Sequence, residues 1–232
     1  MKKEAVLHPS TQQNGIRQNQ ESLSEKFAEA VLAEIKGRIE ARGEKFVEQE
    51  NINDLIPELS KYFLSVDCKL KKHKGIFLYG AIGSGKTILM QTILKTLRVN
   101  RIIYIPLVSC REIVAGFHVK GFESIEDYTT RSFSMQSTPR GDFQDRDKPR
   151  AYLFDDFGNE QDGLYYGSKI NVMAEILLSR YSYFQTYGMT THVTSNMGHD
   201  GDEIEKKYGT LLRSRMREMF NFVELKGVDL RK

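Results

Sequence analysis

The chain has 232 residues, enough for one domain of ordinary size plus an appendage, and its 40% apolar share excludes a disordered or fibrous class. A net charge of +3 permits nucleic-acid contact without arguing for it. No apolar run reaches membrane-spanning length, the stretch Met1 to Pro9 lacks a hydrophobic signal region, and Cys68 and Cys110 form no metal or redox spacing, so a reduced cytoplasmic setting with no membrane partner is expected.

Residues 1–20 are polar with no apolar period, and the expectation is a flexible tail. Ser22-Leu23-Ser24-Glu25 offers a capping box. Leu23, Phe27, Val31, Ile35 and Ile39 then recur at four-residue steps, so residues 21–50 are expected to hold one amphipathic helix. Such a helix buries its stripe on its own chain or on a partner protein; both remain open at this point. A second apolar pattern over Ile52 to Leu64 predicts a helix leading into the core. The basic run Lys69-Leu70-Lys71-Lys72-His73-Lys74 reads as a solvated loop, with a phosphate-backbone contact as the alternative.

Gly75 to Tyr79 suits a buried strand, and Ile88, Leu89, Met90, Ile93, Leu94 and Leu97 recur at helical spacing. Between them lies Gly80-Ala81-Ile82-Gly83-Ser84-Gly85-Lys86-Thr87, the pattern G-x-x-x-x-G-K-T in its required strand–loop–helix context. Glycines allow a tight turn that brings backbone N–H groups against phosphate oxygens. The helix start adds free N–H groups and the positive end of its dipole. Lys86 is expected to reach the β- and γ-phosphates, and the Thr87 hydroxyl to hold Mg2+.

Arg101 to Leu107 reads as a second strand and Cys110 to Phe117 as a helix. From Phe117 to Arg150 the pattern dissolves into a stretch of balanced charge, expected to be a mobile surface excursion. Ala151-Tyr152-Leu153-Phe154-Asp155-Asp156 is a third strand ending in two carboxylates, the Walker B pattern. A buried strand delivers such acids at its C-terminal end, where open α/β sheets bind ligands. Asp155 is expected to organise Mg2+ through oxygen ligation, and Asp156 to orient or deprotonate an attacking water. Asp156-Phe157-Gly158 spells the kinase D-F-G, but the other kinase segments are missing. No N-K-x-D guanine-reading segment follows, which favours ATP over GTP. A helix face runs from Ile170 to Phe184, and a fourth strand from Thr190 to Asn196, whose amide is placed to bond the water or the γ-phosphate. His192 reads as a strand residue with a local partner, not a metal ligand. Leu211 to Arg217 lies on a helix, Asn221 to Leu225 on a last strand, and 226–232 form a basic tail.

This set resembles the AAA+ ATPases, and within them the DnaC/IstB-like group of helicase loaders and transposition helpers. The matching pieces are the Gly80–Thr87 loop, the block Asp155-Asp156-Phe157-Gly158-Asn159-Glu160, Ser179-Arg180-Tyr181, Thr194-Ser195-Asn196, Ser214-Arg215-Met216 and the closing Leu225 to Arg231. The resemblance implies an α/β P-loop NTPase fold over residues 51–232: a five-stranded parallel sheet between helices, its first strand near the centre, with a short helical N-terminal extension. It implies that Asn196 is sensor 1 and that Arg215 is an arginine finger offered to the nucleotide of a neighbouring subunit, with Arg213 the runner-up. A guanidinium suits charge developing on a transferred phosphoryl group. It also implies partners: a replicative DnaB-type helicase or a transposase, single-stranded DNA, and a second copy of the chain through the Arg215 face. Arg180 and Glu160 match family positions without a defined role.

Some features depart from that pattern. The region before the loop is short, so a helicase-binding domain is expected to be missing or reduced. Walker B ends in Asp-Asp, and no lid domain with a sensor 2 arginine is apparent. No helix-turn-helix follows the core, which argues against a DnaA-type initiator. Three functions remain open: a helicase loader whose Leu23–Ile39 helix binds the helicase, an accessory ATPase for a transposase, and a nucleotide-gated assembly protein that scarcely hydrolyses ATP.

Overall fold

The computed structural model describes residues 9–48, 50–137, 143–198 and 202–227, with side chains except over 9–17 and 134–148. The chain opens on a long helix, α1 (Pro9–Glu40). Its stripe residues Phe27, Val31, Ile35 and Ile39 are buried against α2 (Ile52–Phe63) and α3 (Lys86–Val99), while Leu23 is exposed. Arg38 donates to the Thr92 hydroxyl at 3.1 Å and Lys95 meets Glu34 at 2.6 Å, which fixes α1 along α3. Of the two ways to bury the stripe, the chain uses the internal one.

The start of α1 also differs from expectation. Residues 9–20 are helical where a tail was expected; residues 1–8 lie outside the described part. The capping box does not cap, because the helix runs through it. Ser24 instead donates to the Glu21 carbonyl at 2.8 Å, satisfying its hydroxyl mid-helix. Extending a helix already nucleated by packed turns costs little, so a polar stretch without an apolar period still joins it.

The chain continues through β1 (Gly75–Gly80), the glycine loop and α3, then β2 (Leu107–Ser109), α4 (Cys110–Lys120) and a short α5 (Phe122–Glu126). An antiparallel hairpin follows, β3 (Phe133–Ser137) and β4 (Phe143–Pro149). Next come β5 (Tyr152–Phe157), a small hairpin of β6 (Gly163–Tyr165) and β7 (Ser168–Ile170), and α6 (Val172–Tyr187). β8 (Thr191–Ser195), α7 (Asp202–Met219) and β9 (Phe220–Leu225) complete the domain.

Five strands form one parallel sheet in the order β2-β5-β8-β1-β9, with β1 inside it, one strand from the edge. Alternation along the strands feeds two cores. Ile76, Leu78 and Leu153 pack with α1, α2 and α3 on one face; Phe77, Phe154 and Val193 pack with α4, α6 and α7 on the other. Both faces are covered, so β1 is apolar along its length. Each such side chain contributes about 1.5–3 kcal/mol relative to exposure. The result is the expected three-layer α/β fold.

Two stretches depart from expectation. The second strand is not 101–107 but Leu107–Ser109; Ile102, Ile103 and Tyr104 are apolar yet exposed. Pro106 has no N–H for a ladder, although its carbonyl accepts from the Leu153 N–H at 2.9 Å. The stretch 117–150 is more ordered than a mobile excursion, since it forms α5 and the β3–β4 hairpin; residues 138–142 lie outside the described part. The basic run is a tethered connector: Lys74 donates to the Arg217 carbonyl at 2.7 Å, and Lys72 to that of Ser65 at 2.9 Å.

The edge strand β9 is held at both ends by asparagine amides. Asn51 donates to the Glu224 carbonyl at 2.8 Å and accepts from the Lys226 N–H at 3.0 Å. Asn221 accepts from the Lys71 N–H at 2.9 Å and donates to the Lys71 carbonyl at 2.9 Å.

Candidate functional site

β1 ends at Gly80, registered against Leu225 of β9. A Cβ there would lie 2.3 Å from the Leu225 carbonyl oxygen, so the residue must be glycine. Gly83 and Gly85 follow at φ 76° and 93°, in the left-handed region that glycine enters without strain. Gly85 is the N-cap of α3. The first N–H groups of that helix have no intrahelical acceptor and face the loop. Within it, Lys86 is buried and its ammonium donates to the carbonyls of Gly80 at 3.0 Å and Ala81 at 2.7 Å, with the Ser84 hydroxyl at 3.5 Å. Ile82 is exposed on the outside of the turn.

Thr87 reaches across to β5, its hydroxyl donating to Asp155 Oδ1 at 2.9 Å. The same oxygen accepts from the Thr194 hydroxyl of β8 at 2.5 Å. Thr194 in turn accepts from the Asp156 N–H at 3.0 Å. One buried carboxylate is thereby fixed from two other strand–loop junctions. Thr194 was not among the expected site residues. A buried strand rich in hydroxyls was its signal, because such hydroxyls need partners on neighbouring strands.

Asp156 faces a different way. Its backbone is left-handed, with φ 61°, an uncommon state for a residue with a Cβ. Its carboxylate accepts from the Asn159 amide at 2.5 Å, and Arg111 on α4 approaches to 3.9 Å. Asn196 follows β8 directly and is half-buried at the same edge of the sheet. The neighbouring Ser195 donates to the Phe157 carbonyl at 2.7 Å and accepts from the Met197 N–H at 2.9 Å, which shapes that turn.

The structure thus brings Gly80, Gly83, Gly85, Lys86, Thr87, Asp155, Asp156 and Asn196 to the C-terminal edge of the sheet. Arg215 is held elsewhere. It lies on α7, its guanidinium 4.7 Å over the Tyr181 ring and donating to that hydroxyl at 3.1 Å, with Glu218 at 3.4 Å. Its side chain stays 38% exposed, against 21% for Arg213, which is pinned to Glu205 at 2.5 Å.

Arg180 has no exposed surface and lies beside the N-terminal end of β8. Its guanidinium donates to the Thr191 hydroxyl at 2.7 Å and to the carbonyls of Tyr128, Arg150 and Thr190 at 2.8, 3.0 and 2.8 Å. Burial pulls its pKa down to about 9. His192 is buried nearby, and its Nδ1 accepts from the Ile76 N–H at 3.2 Å. Burial, with the Arg180 charge second, pushes its pKa down to about 3. Its role as a strand residue with a local partner holds.

The site suits a magnesium–triphosphate by its own chemistry. Backbone N–H groups and an ammonium converge on one loop, and a hydroxyl–carboxylate oxygen pair lies beneath it. Hard divalent cations that keep several waters are held by such sparse oxygen sets. Among the described residues no cluster of three His, Cys, Asp or Glu offers a closed metal cage. No helix there is long and apolar enough to cross a membrane.

A scan against protein-family models finds no match, and a search of curated proteins finds no relative. Solved structures do match. The crystal structure of DnaI aligns with a TM-score of 0.53 at 18% identity, over 80% of this chain and 87% of that one. That of the DnaC helicase loader aligns at 0.51 and 14% identity, over 78% of this chain and 93% of that one. In fold, this chain is a three-layer α/β P-loop domain, matched along most of its length by the crystal structures of DnaI and of the DnaC helicase loader.

Proposed function

We propose that this chain is an ATP-binding and ATP-hydrolysing AAA+ protein that assembles through its Arg215 face and loads a replicative DnaB-type helicase onto single-stranded DNA. The observation that carries the reading is the Thr87–Asp155 hydrogen bond beneath the Gly80–Lys86 cradle. It supports a site in which phosphate and cation are gripped by adjoining groups.

Each residue has a role in this reading. The N–H groups of the loop and the Lys86 ammonium hold the β- and γ-phosphate oxygens. Thr87 and Asp155 hold Mg2+, which when bound neutralises charge on those oxygens. Thr194 keeps the Asp155 carboxylate aimed. Asp156 accepts the proton of the attacking water, and Asn196 orients that water. Arg215 of one subunit stabilises charge at the nucleotide of the next, where removal of such a guanidinium lowers turnover by about 10³-fold or more. The fold likeness to the DnaC helicase loader supports the choice of partner.

Steady-state ATP turnover with and without single-stranded DNA tests the chemistry. Lys86→Ala should lower turnover at least about 100-fold. Arg215→Ala should do the same alone and regain activity when mixed with Lys86→Ala subunits, each supplying what the other lacks. Unchanged turnover in both variants overturns the assignment. Affinity capture from the native host with ATP present should retain a replicative helicase; retention of a transposase instead moves the protein to that class.

A second reading has one observation behind it. The Asp156 carboxylate is turned to Asn159 and Arg111. A base held in that way favours a nucleotide-gated assembly protein with little hydrolysis. Nucleotide-dependent assembly without turnover is its signature.

A further inference from the structure

Glu160 lies four residues beyond Asp156 and is 4% exposed. A carboxylate that deep must be fully satisfied. Its Oε2 accepts from the Gly158 N–H at 2.8 Å. Its Oε1 accepts a short bond from the Tyr208 hydroxyl, with the Lys207 ammonium at 3.7 Å. Lys207 also donates to the carbonyls of Gly158 at 2.5 Å and Glu160 at 2.6 Å. The Tyr208 ring stacks on Phe157, centroids 4.3 Å apart and planes within 13°. Every residue from Phe157 to Glu160 except Asn159 is therefore fastened to two consecutive residues of α7.

Those two residues sit at a break. Gly209 follows them at φ 86° and ψ 159°, outside helical geometry, so α7 is two helices joined there. The half before it is clamped, and Asn171 adds a bond to the Lys207 carbonyl at 3.1 Å. The half after it carries Arg213 and Arg215. On its other side the same turn meets the segment after β8: a Cβ on Gly158 would lie 2.8 Å from the Met197 sulfur, one residue past Asn196. Apolar residues would stabilise this junction as well as a buried ion network does. What the network adds is a defined spatial relation between the Asp156 turn and the base of the Arg215 helix.

We propose that Glu160 is a positioning residue which, through Tyr208 and Lys207, couples the nucleotide-facing Asp156 turn to the Arg215 half of α7, with Gly209 as the joint. The inference rests on the nucleotide reading given above. A change in the turn at one site then alters how the same subunit presents Arg215 to its neighbour.

Amide hydrogen exchange with a non-hydrolysable ATP analogue and Mg2+ tests this without requiring turnover. In the intact chain the analogue should slow exchange over 80–87 and change it over 202–219 by about threefold or more. Tyr208→Phe keeps the ring stack and removes one hydroxyl; Glu160→Gln keeps the shape and removes the charge. Both should show the same protection of 80–87 and no nucleotide-dependent change beyond Gly209. Lys207→Arg should retain the response and Lys207→Met should lose it, which separates positioning from general loosening. If 80–87 is protected and the response over 202–219 persists in Tyr208→Phe, Glu160→Gln and Lys207→Met, the coupling is wrong and the nucleotide reading stands. If 80–87 gains no protection in the intact chain, both fall.

Discussion

The two ends of β8 bury polar side chains in opposite ways. At the N-terminal end, Arg180, Thr191 and His192 bond mainly to main-chain groups of neighbouring segments. At the C-terminal end, Thr194 bonds to a carboxylate that is also gripped by the Thr87 hydroxyl of the glycine loop. The first cluster is closed and its ionisable groups are pulled toward neutrality. The second joins side chains of three elements at the open edge of the sheet. Burial of a charged residue is thus no guide to function by itself; what matters is whether its partners are fixed backbone or other chemically active side chains.

The largest effect that would break this contrast is at Arg180. Arg180→Met removes the donor from three partly buried carbonyls and a buried hydroxyl and should cost on the order of 3–5 kcal/mol in urea unfolding. Nucleotide affinity of the folded fraction should stay within about twofold. A stable variant with weakened nucleotide binding would mean that the two ends act as one unit.

Acid should act on the closed end next. The folded His192 resists protonation down to about pH 3, whereas the unfolded chain takes the proton near pH 6.5. Its contribution to stability is complete above pH 6.5 and is lost as pH falls below it, at about 1.4 kcal/mol per pH unit. Unfolding free energies at pH 7.5, 6 and 5 should fall more steeply for the intact chain than for His192→Gln. Equal slopes would remove His192 as the source.

The smallest effect is at the open end. Thr194→Val removes one hydroxyl from Asp155 and should weaken Mg2+-dependent nucleotide binding about tenfold while costing about 1 kcal/mol of stability. A larger loss of stability than of affinity would make Thr194 a closed-end residue in disguise.

What was legible in the sequence was local. The glycine loop and the paired acids on β5 announce themselves because the chemistry and the backbone geometry lie within eight residues. The stripe of α1 was legible too, since Phe27, Val31, Ile35 and Ile39 share one face. Its beginning was not, because residues 9–20 carry no apolar period. The β3–β4 hairpin hid in a polar stretch without apolar alternation. Ile102 to Tyr104 misled by being apolar at a surface. Arg180 and Glu160 look like solvent-facing charges in a one-dimensional reading. Their burial follows from pairings between elements tens of residues apart, and no window of sequence contains those.

The amide of Asn51 bears on how copies of this chain can meet. A parallel sheet leaves a row of unused N–H and C=O groups along its outermost strand, an invitation to add a foreign strand. Here that border is stapled at its C-terminal tip, where the Asn51 amide takes up the Glu224 carbonyl and the Lys226 N–H in place of the missing rungs. Opposite it, the border strand is only three residues long. Sheet-to-sheet growth is therefore discouraged on either flank. Any assembly is left to side-chain surfaces, which can be made and unmade without rewiring the backbone.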